Sequence, residues 1–384
     1  MKLFHELSIV ILLSMSVTLA LTGCAGPAGS NLNARGAGAF EPKVAEAMTR
    51  GVKALLQRQH ADDGSWGGDD VKVQSSHKSD YPVAISSLAY LALTTVAPDD
   101  NASLQGRDKT LGFILETIVD DGKMKNTRDN TPKIHERNVW SQGFCTFVFG
   151  RLLSQDKISK TMQKQIRAKM THMVAALGIT QQADGGWTYD KGPSESFTTA
   201  TVLAGLASIQ KAKVPVPAAM IARSRAFLKR QSNPGNHVAY QGVPRVLDSA
   251  ARVRGSAGRS VQLELTLLQA GEGSTESLAA AVETFFKYRD RFEKVLKLEK
   301  GCHQKPYGIG TFYCFYAYYH LAQALEILGG DIREKYRPML VDQFLKLQKA
   351  DGHWIDSKDH CGESYGTAMG LLVLSAPAWA DAAE

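Results

Sequence analysis

The sequence has almost no segment with the alternating pattern of a β-strand, which excludes sheet-based folds and predicts an all-α protein. After the first forty residues it also lacks any linker-like interruption, so the rest forms a single unit. The formal net charge is +7, but exposed aromatic residues are not interleaved with the basic ones. We therefore expect no nucleic-acid partner, whereas attraction to anionic lipid heads or acidic polysaccharide stays open.

The chain has one long hydrophobic run, from Leu7 to Leu21, and no second run long enough to span a bilayer. The first run is itself shorter than a spanning helix of about 20 residues, which predicts a signal peptide over residues 1–23. The tetrapeptide that ends at Cys24 resembles the bacterial lipoprotein box. The resemblance implies that Cys24 is acylated after cleavage and anchors the protein to a lipid bilayer. An ordinary signal peptide and an uncleaved membrane anchor are the alternatives.

Residues 24–39 are rich in Gly, Ala, Ser and Asn and carry little apolar mass. This composition predicts a flexible tether between the lipid and a folded body over residues 40–384. The residue after the lipidated cysteine is Ala25, whereas retention in the inner membrane takes Asp at that position. We therefore expect a lipoprotein of the bacterial cell envelope, at the outer membrane rather than the inner one.

Three segments of the chain repeat nearly the same phrase, in which a Gln precedes Ala, Asp and Gly and a Trp closes the motif. Asp-Gly favours a tight turn, because Gly reaches positive φ and Asp bonds to its own downstream backbone. The Trp then folds back over the preceding helix and leaves its indole N–H for a loop carbonyl. We expect these residues to hold the repeats together. The paired positions are Gln59 with Trp66, Gln181 with Trp187, and Gln348 with Trp354.

Six times an amphipathic stretch is followed by a stretch rich in small and apolar residues, which predicts six helical hairpins. The stripe of Ile166, Met170 and Leu177 is typical of a helix with one buried face, whereas residues 82–91 are apolar or small on all sides, as in a buried helix. The second helices of the six hairpins align at Tyr81, Trp140, Phe197, Val261, Phe312 and Tyr365.

The repeated Gln and Trp phrase, with the small-residue helix after it, resembles the QW-type repeat of the squalene-hopene cyclase and protein prenyltransferase superfamily. The resemblance covers Val44 to Leu374. It implies that each hairpin has an outer and an inner helix and that six hairpins close into an (α/α)6 toroid. The fold class expected for the chain is therefore an all-α toroid.

The chain lacks the residues that carry out the known activities of this superfamily. The Asp-x-Asp-Asp string of class II terpene cyclases does not occur in the chain. The zinc-binding His of the prenyltransferases falls on Phe312 or Tyr313, and neither binds zinc as His does. We therefore expect no cyclisation, no zinc-dependent prenyl transfer, and no resident metal or cofactor.

Acidic residues stand beside an aromatic residue where three inner helices begin: Asp80, Glu195 and Glu363. If the repeats superpose, these carboxylates surround one mouth of the toroid, near helix N-termini that favour negative charge. They are the weak catalytic candidates, because carboxylates in a cavity can act as general acid and base. The alternative is that they only cap their helices.

Aromatic residues gather on the fifth inner helix and at the start of the second one. Trp140, Phe312, Tyr313 and Tyr316 are the candidates to line a ligand cavity, which would take an apolar molecule or a sugar. Aromatic stripes on helices also form ordinary core, and the sequence leaves that alternative open.

Four cysteines follow Cys24, and the expected compartment is oxidising. Cys302 and Cys361 lie in equivalent loops of the fifth and sixth hairpins, so we predict a disulfide between them. The alternative is a metal site, since each of the two has a neighbouring His. Cys145 and Cys314 fall within inner helices, where we expect buried thiols.

The sequence thus favours a lipid-anchored toroid that binds a ligand or a protein partner without demonstrable catalysis. The candidate ligands are an isoprenoid, another lipid or a glycan. Two alternatives stay open: an enzyme that acts on an isoprenoid or a polysaccharide through the mouth carboxylates, and a scaffold protein of the cell envelope.

Overall fold

The computed structural model describes residues 41–67, 81–119, 138–155, 158–189, 192–233, 238–241, 250–298, 314–355 and 362–380. The predicted signal peptide and tether lie outside these ranges, and so do several candidate residues: Cys24, Asp80, Cys302, Phe312, Tyr313 and Cys361. None of the helices in the described ranges is both long and apolar enough to cross a membrane.

The described residues form helices joined by turns and loops, without a strand. In chain order the helices are α1 (Glu41–Gln57), α2 (Pro82–Val96), α3 (Asn101–Thr117), α4 (Asn138–Gln155), α5 (Lys160–Thr180), α6 (Ser196–Lys211), α7 (Ala218–Gln231), α8 (Ala250–Gln269), α9 (Thr275–Lys287), α10 (Arg289–Leu298), α11 (Cys314–Leu328), α12 (Gly330–Leu347), α13 (Gly362–Leu374) and α14 (Ala376–Trp379).

Six of these helices form a closed inner ring in the order α2, α4, α6, α8, α11 and α13. Each packs against the next one, and α13 packs against α2. The helices α1, α3, α5, α7, α9 and α12 lie outside this ring, and each contacts the inner helix that follows it or a neighbouring one. The chain is therefore an α/α toroid of six hairpins, which confirms the predicted fold class.

Burial follows the two helix types that the sequence predicts. Every residue from Val83 to Leu93 is buried, because α2 is surrounded by its two inner neighbours and the outer helices. On the outer helix α5 only one stripe is buried, and it includes Ile166, Met170 and Leu177. Cys145 and Cys314 are buried in α4 and α11.

The three Trp residues of the repeated phrase have equivalent surroundings. Each is fully buried, and its indole N–H donates to a carbonyl in the last turns of its own outer helix. The sequence predicts a loop carbonyl, whereas the acceptors lie inside the helices, close to the end where carbonyls lose their helical partners. These acceptors are Leu55 O for Trp66, Leu177 O for Trp187 and Phe344 O for Trp354, at 2.8 to 2.9 Å.

The Gln of each phrase ties its turn to the next outer helix. Gln181 Nε2 donates to Gly185 O at 2.9 Å and to Met220 O of α7 at 3.0 Å. Gly185 has a φ of 94°, and a Cβ there would stand 2.4 Å from Arg223 O, so only glycine fits beside α7. The turn can therefore sit directly on the neighbouring hairpin.

The third Gln makes the same contact across the ends of the chain. Gln348 Nε2 donates to Gly352 O at 2.9 Å and to Ala47 O at 2.8 Å, and Ala47 belongs to α1. The contact that joins consecutive hairpins elsewhere thus joins the last hairpin to the first. It closes the outer layer of the ring.

Replacing Gln348 with leucine is expected to lower the free energy of unfolding by about 1–3 kcal/mol, because two carbonyls lose their donor at the seam. Gln181→Leu is the matched variant at an internal joint, and we expect a loss of similar size. Urea unfolding followed by circular dichroism measures both. A loss at Gln181 with none at Gln348 would mean that the ring is not closed in solution.

The short helix α14 is the last one in the described part of the chain, and it packs against the inner helices through Trp379. The Trp379 ring stacks on Tyr319 of α11, with centroids 5.1 Å apart. Its indole N–H donates to Leu372 O of α13 at 2.7 Å, and its carbonyl accepts a hydrogen bond from Arg151 of α4. Trp379 therefore links α14 to the inner helices α4, α11 and α13.

Candidate site at the lumen mouth

A small cavity lies in the lumen near the start of the inner helices. Its volume is about 40 Å³. Tyr81, Trp140 and Tyr365 line it, each from the first residues of its inner helix or the position just before, as the repeat alignment places them. The other described lining residues are Ala84, Ile85, Leu88, Phe144 and Tyr316. None of the described residues in this lining is charged.

Trp140 is the centre of an aromatic cluster at this mouth. Its ring centroid lies 5.6 Å from that of Phe197, 5.7 Å from that of Tyr316 and 6.2 Å from those of Phe144 and Tyr189. The cluster joins inner helices α4, α6 and α11. It gives one side of the lumen a rigid aromatic wall.

Not every aromatic residue of α11 belongs to that wall. Phe315 and Tyr318 pack on Phe344 of the outer helix α12, and Tyr319 packs on Trp379. Successive residues of a helix turn by about 100°, so consecutive aromatics reach both the lumen and the outer layer. Among the described residues of α11, only Tyr316 lines the cavity.

A cluster of polar side chains lies next to the aromatic wall, around the hydroxyl of Tyr316. The hydroxyl of Tyr316 is 2.5 Å from Thr201 Oγ1 and accepts a hydrogen bond from Gln262 Nε2, which joins α6, α8 and α11. His320 follows one turn after Tyr316, with ring centroids 4.6 Å apart. His320 Nε2 and Gln262 Oε1 are buried and have no hydrogen-bond partner in the described part of the chain. Burial lowers the pKa of His320 to about 3, so its ring is neutral near pH 7.

His320, Gln262 and Thr201 are not among the candidate residues that the sequence motifs predict. Two signals could have found them: the four-residue spacing between Tyr316 and His320, and polar side chains within helices that are otherwise small and apolar.

Glu195 begins α6 and has no exposed surface. Its carboxylate accepts hydrogen bonds from Thr198 Oγ1 at 2.6 Å, Thr188 Oγ1 at 3.1 Å, Gln241 Nε2 at 3.1 Å and Tyr189 N at 3.2 Å. Burial raises its pKa, and these donors oppose the shift. It stands at the N-cap position but accepts no hydrogen bond from the first N–H groups of α6. Its described contacts connect the start of α6 to two loop segments, one with Thr188 and Tyr189 and one with Gln241.

Glu363 begins α13 and points toward the seam of the ring. It accepts hydrogen bonds from Arg58 Nε at 2.7 Å and Nη2 at 2.5 Å, and His353 Nε2 lies 3.6 Å from its other oxygen. Arg58 also pairs with Asp351 at 3.1 Å. The arginine follows α1, whereas its three partners belong to the last hairpin, so this cluster joins the two ends of the ring.

Glu195 and Glu363 lie on opposite sides of the lumen, because α6 and α13 are three steps apart in the inner ring of six. With about 8–10 Å between packed helix axes, opposite helices are on the order of 16–20 Å apart. Glycoside hydrolysis takes two carboxyl groups about 5–9.5 Å apart. These two residues are therefore not such a pair in the described arrangement, and Asp80 lies outside the described residues.

Comparison with solved structures identifies other toroids. The α-1,6-mannanase of Salegentibacter sp. HEL1_6 matches with a TM-score of 0.55 at 9% identity over 88% of this chain and 100% of that one. A Clostridium perfringens α-amylase matches with a TM-score of 0.54 at 13% identity over 85% and 96%. A type II terpene cyclase of Scytonema has a TM-score of 0.48 at 13% identity over 88% and 97%. No family model and no curated protein matches the chain. At these identities the likeness concerns the fold.

Proposed function

We propose that the mouth of the lumen binds one end of an apolar ligand of isoprenoid type, without terpene cyclisation or zinc-dependent prenyl transfer. The observation that carries this proposal is the lining of the cavity, which consists of aromatic and aliphatic side chains with no charged group among the described residues. Each Å² of apolar ligand and protein surface that is buried on binding contributes about 25 cal/mol to the binding free energy. A branched terminal group suits the small volume, and the rest of the ligand would leave through the mouth.

The lipoprotein anchor belongs to the same proposal. Acylation of Cys24 would hold the toroid at the bilayer, in the cell envelope and at the outer membrane, where lipid ligands are present. Mass spectrometry of the protein purified from bacterial membranes tests it. An unacylated chain that begins after Cys24 would overturn this part of the proposal.

A glycan is the second candidate ligand, either for binding or for an enzyme. The likeness to a mannanase and an amylase favours it, since both are toroids with TM-scores above 0.5. The position of Glu195 and Glu363 on opposite sides of the lumen speaks against hydrolysis by that pair. An envelope scaffold that binds a protein partner is the third candidate.

Replacing Ala84 with leucine is expected to weaken binding about tenfold or more, because the larger side chain fills a cavity of about 40 Å³. The assay titrates the full chain with geranylgeraniol and follows tryptophan fluorescence, since Trp140 lines the cavity. Ala207→Leu is the control, because Ala207 lines a separate cavity at the other end of the lumen.

Native mass spectrometry of the purified chain then separates the candidates. A co-purified isoprenoid that is lost in Ala84→Leu and kept in Ala207→Leu supports the proposal. Equal geranylgeraniol binding by the wild type, Ala84→Leu and Ala207→Leu would overturn it. A co-purified oligosaccharide without any isoprenoid would also overturn it.

A further inference from the structure

Arg259 is a cation at the aromatic mouth that forms no ion pair with the described carboxylates. It belongs to α8 and stands two positions before Val261, where the repeat alignment starts this inner helix. Its Nη2 donates to Val238 O at 3.0 Å, and its Nη1 donates to Gly255 O at 3.3 Å. Its Nε is buried and has no hydrogen-bond partner within the described ranges. Both acceptors are backbone carbonyls, so the positive charge meets no negative one there.

A second arginine shows how the protein otherwise treats such a group. Burial lowers the pKa of Arg259 and that of Arg337 to about 10, so both remain charged near pH 7. Beside Arg337 the carboxylate of Glu326 lies 3.5 Å away. A cation that leaves water is costly unless an anion compensates it. The contrast indicates that the anion for Arg259 is brought by a bound molecule.

The ordinary role for Arg259 would be to hold the segment 238–241 against α8. Two neutral side chains already hold this segment. The Ser256 hydroxyl of α8 accepts the N–H of Val238 at 3.1 Å, and the Ser196 hydroxyl of α6 donates to Ala239 O at 2.9 Å. A positive charge is therefore not required to fix the segment.

A row of aromatic rings leads from Arg259 to the small cavity. The guanidinium lies 5.5 Å from the ring centroid of Tyr240, which is 4.8 Å from that of Phe197. Phe197 is 5.6 Å from Trp140, which lines the cavity. Trp140 and Phe197 are buried, whereas Tyr240 and Arg259 are partly exposed. The row thus runs from an apolar interior outward to a charged end.

Glu195, which begins α6 close to this row, does not compensate Arg259. It has no exposed surface, and burial raises its pKa. Both of its oxygens accept hydrogen bonds from donors of the protein, among them Gln241 Nε2 and Thr198 Oγ1. Its carboxylate therefore presents no exposed negative surface to an anion that approaches Arg259.

We propose that Arg259 binds an acidic head group, a carboxylate or a phosphate monoester, at the outer end of the apolar ligand. This inference rests on the proposed function, because it adds the head group to the chain whose other end enters the cavity. The chain would lie along Phe197 and Tyr240. Each terminal nitrogen of Arg259 has a second N–H that no described residue accepts, and these can donate to anionic oxygens.

The test titrates the full chain with geranylgeranyl phosphate, geranylgeranoate and the neutral geranylgeraniol, followed by tryptophan fluorescence. We expect both anions to bind about tenfold or more tighter than the alcohol. Arg259→Gln should reduce the affinity for both anions to that for the alcohol and leave alcohol binding unchanged. Arg259→Lys keeps the charge but lacks the planar fork, so it should retain part of the preference.

Arg254→Gln is the matched control. Arg254 belongs to the same helix, and its guanidinium lies 5.3 Å from the ring centroid of Tyr288, so the variant removes the same charge from a similar aromatic contact. It should keep the full preference for anions. A further measurement needs no variant: the preference of the wild type should shrink when sodium chloride is raised from about 0.05 M to about 0.5 M, because salt screens the ion pair.

The outcomes separate the head-group site from the proposed function. If the alcohol binds and neither anion binds tighter, the site is wrong and the proposed function stands. If none of the three binds, both are wrong. Equal loss of preference in Arg254→Gln and Arg259→Gln would reduce the effect to general charge and overturn the site. Loss of alcohol binding in Arg259→Gln, or a preference that salt does not change, would overturn it as well.

Discussion

The variant Trp187→Ala is expected to lose about 3–5 kcal/mol of unfolding free energy. The Trp187 ring is fully buried, its indole N–H donates to Leu177 O at 2.9 Å, and its backbone N–H donates to Thr199 Oγ1 at 2.9 Å. The side chain thus joins the end of α5 to the start of α6. Alanine would leave a cavity between the two helices, and a close-packed interior collapses into such a space only in part.

Trp187→Phe separates packing from hydrogen bonding at the same position. Phenylalanine keeps most of the buried area and removes the indole donor, so we expect a smaller loss, of about 1–3 kcal/mol. Urea unfolding measured by far-ultraviolet circular dichroism gives both values. A loss below 1 kcal/mol for the alanine variant would show that the Trp does not hold the hairpin together.

Acid is expected to destabilise the protein through His320. Burial lowers its folded-state pKa from 6.5 to about 3. Between these two values the unfolded chain takes up a proton on this residue and the folded chain does not, so stability falls as the pH decreases below 6.5. From pH 7.5 to pH 5 this residue alone should remove about 2 kcal/mol of unfolding free energy.

His320→Leu is the variant that isolates this effect. Leucine does not titrate, and it removes a buried nitrogen that has no partner among the described residues, so the variant should match or exceed the wild type at pH 7.5. The carboxyl groups whose pKa burial raises, Glu195 and Glu264, are present in both proteins and cancel in the difference. Urea midpoints measured at several pH values decide the matter, and parallel pH profiles for the two proteins would contradict the assignment.

The helical hairpins and their ring could be predicted from the sequence, because the determining patterns are local. The stripe on α5 and the small residues of α2 repeat with a helical period, and the Gln and Trp phrase marks each sharp turn. The starting positions of Tyr81, Trp140 and Tyr365 also follow from alignment of the repeats, and the structure places all three around one cavity.

The contacts that decide the chemistry could not be predicted in this way, because they join residues far apart in the chain. Glu195 accepts from Gln241, and Glu363 is engaged by Arg58, 305 positions earlier. The residue type alone made both acids equal candidates for catalysis. His320 Nε2, which has no hydrogen-bond partner within the described ranges, owes its burial to the packing of several inner helices, and no local sequence pattern encodes that packing.

The contact between Gln348 and Ala47 has a consequence for how such a protein can evolve. An open array of repeats grows or shrinks by whole units, since each unit touches only its neighbours. In this closed ring of six, the gain of a seventh hairpin or the loss of one hairpin would alter the angle between every pair of neighbouring hairpins. The two chain ends would then no longer meet. Duplication of a hairpin is therefore not tolerated in this architecture. Sequence variation should instead accumulate in the loops around the two mouths, where a change in loop length leaves the circumference of the ring unaltered.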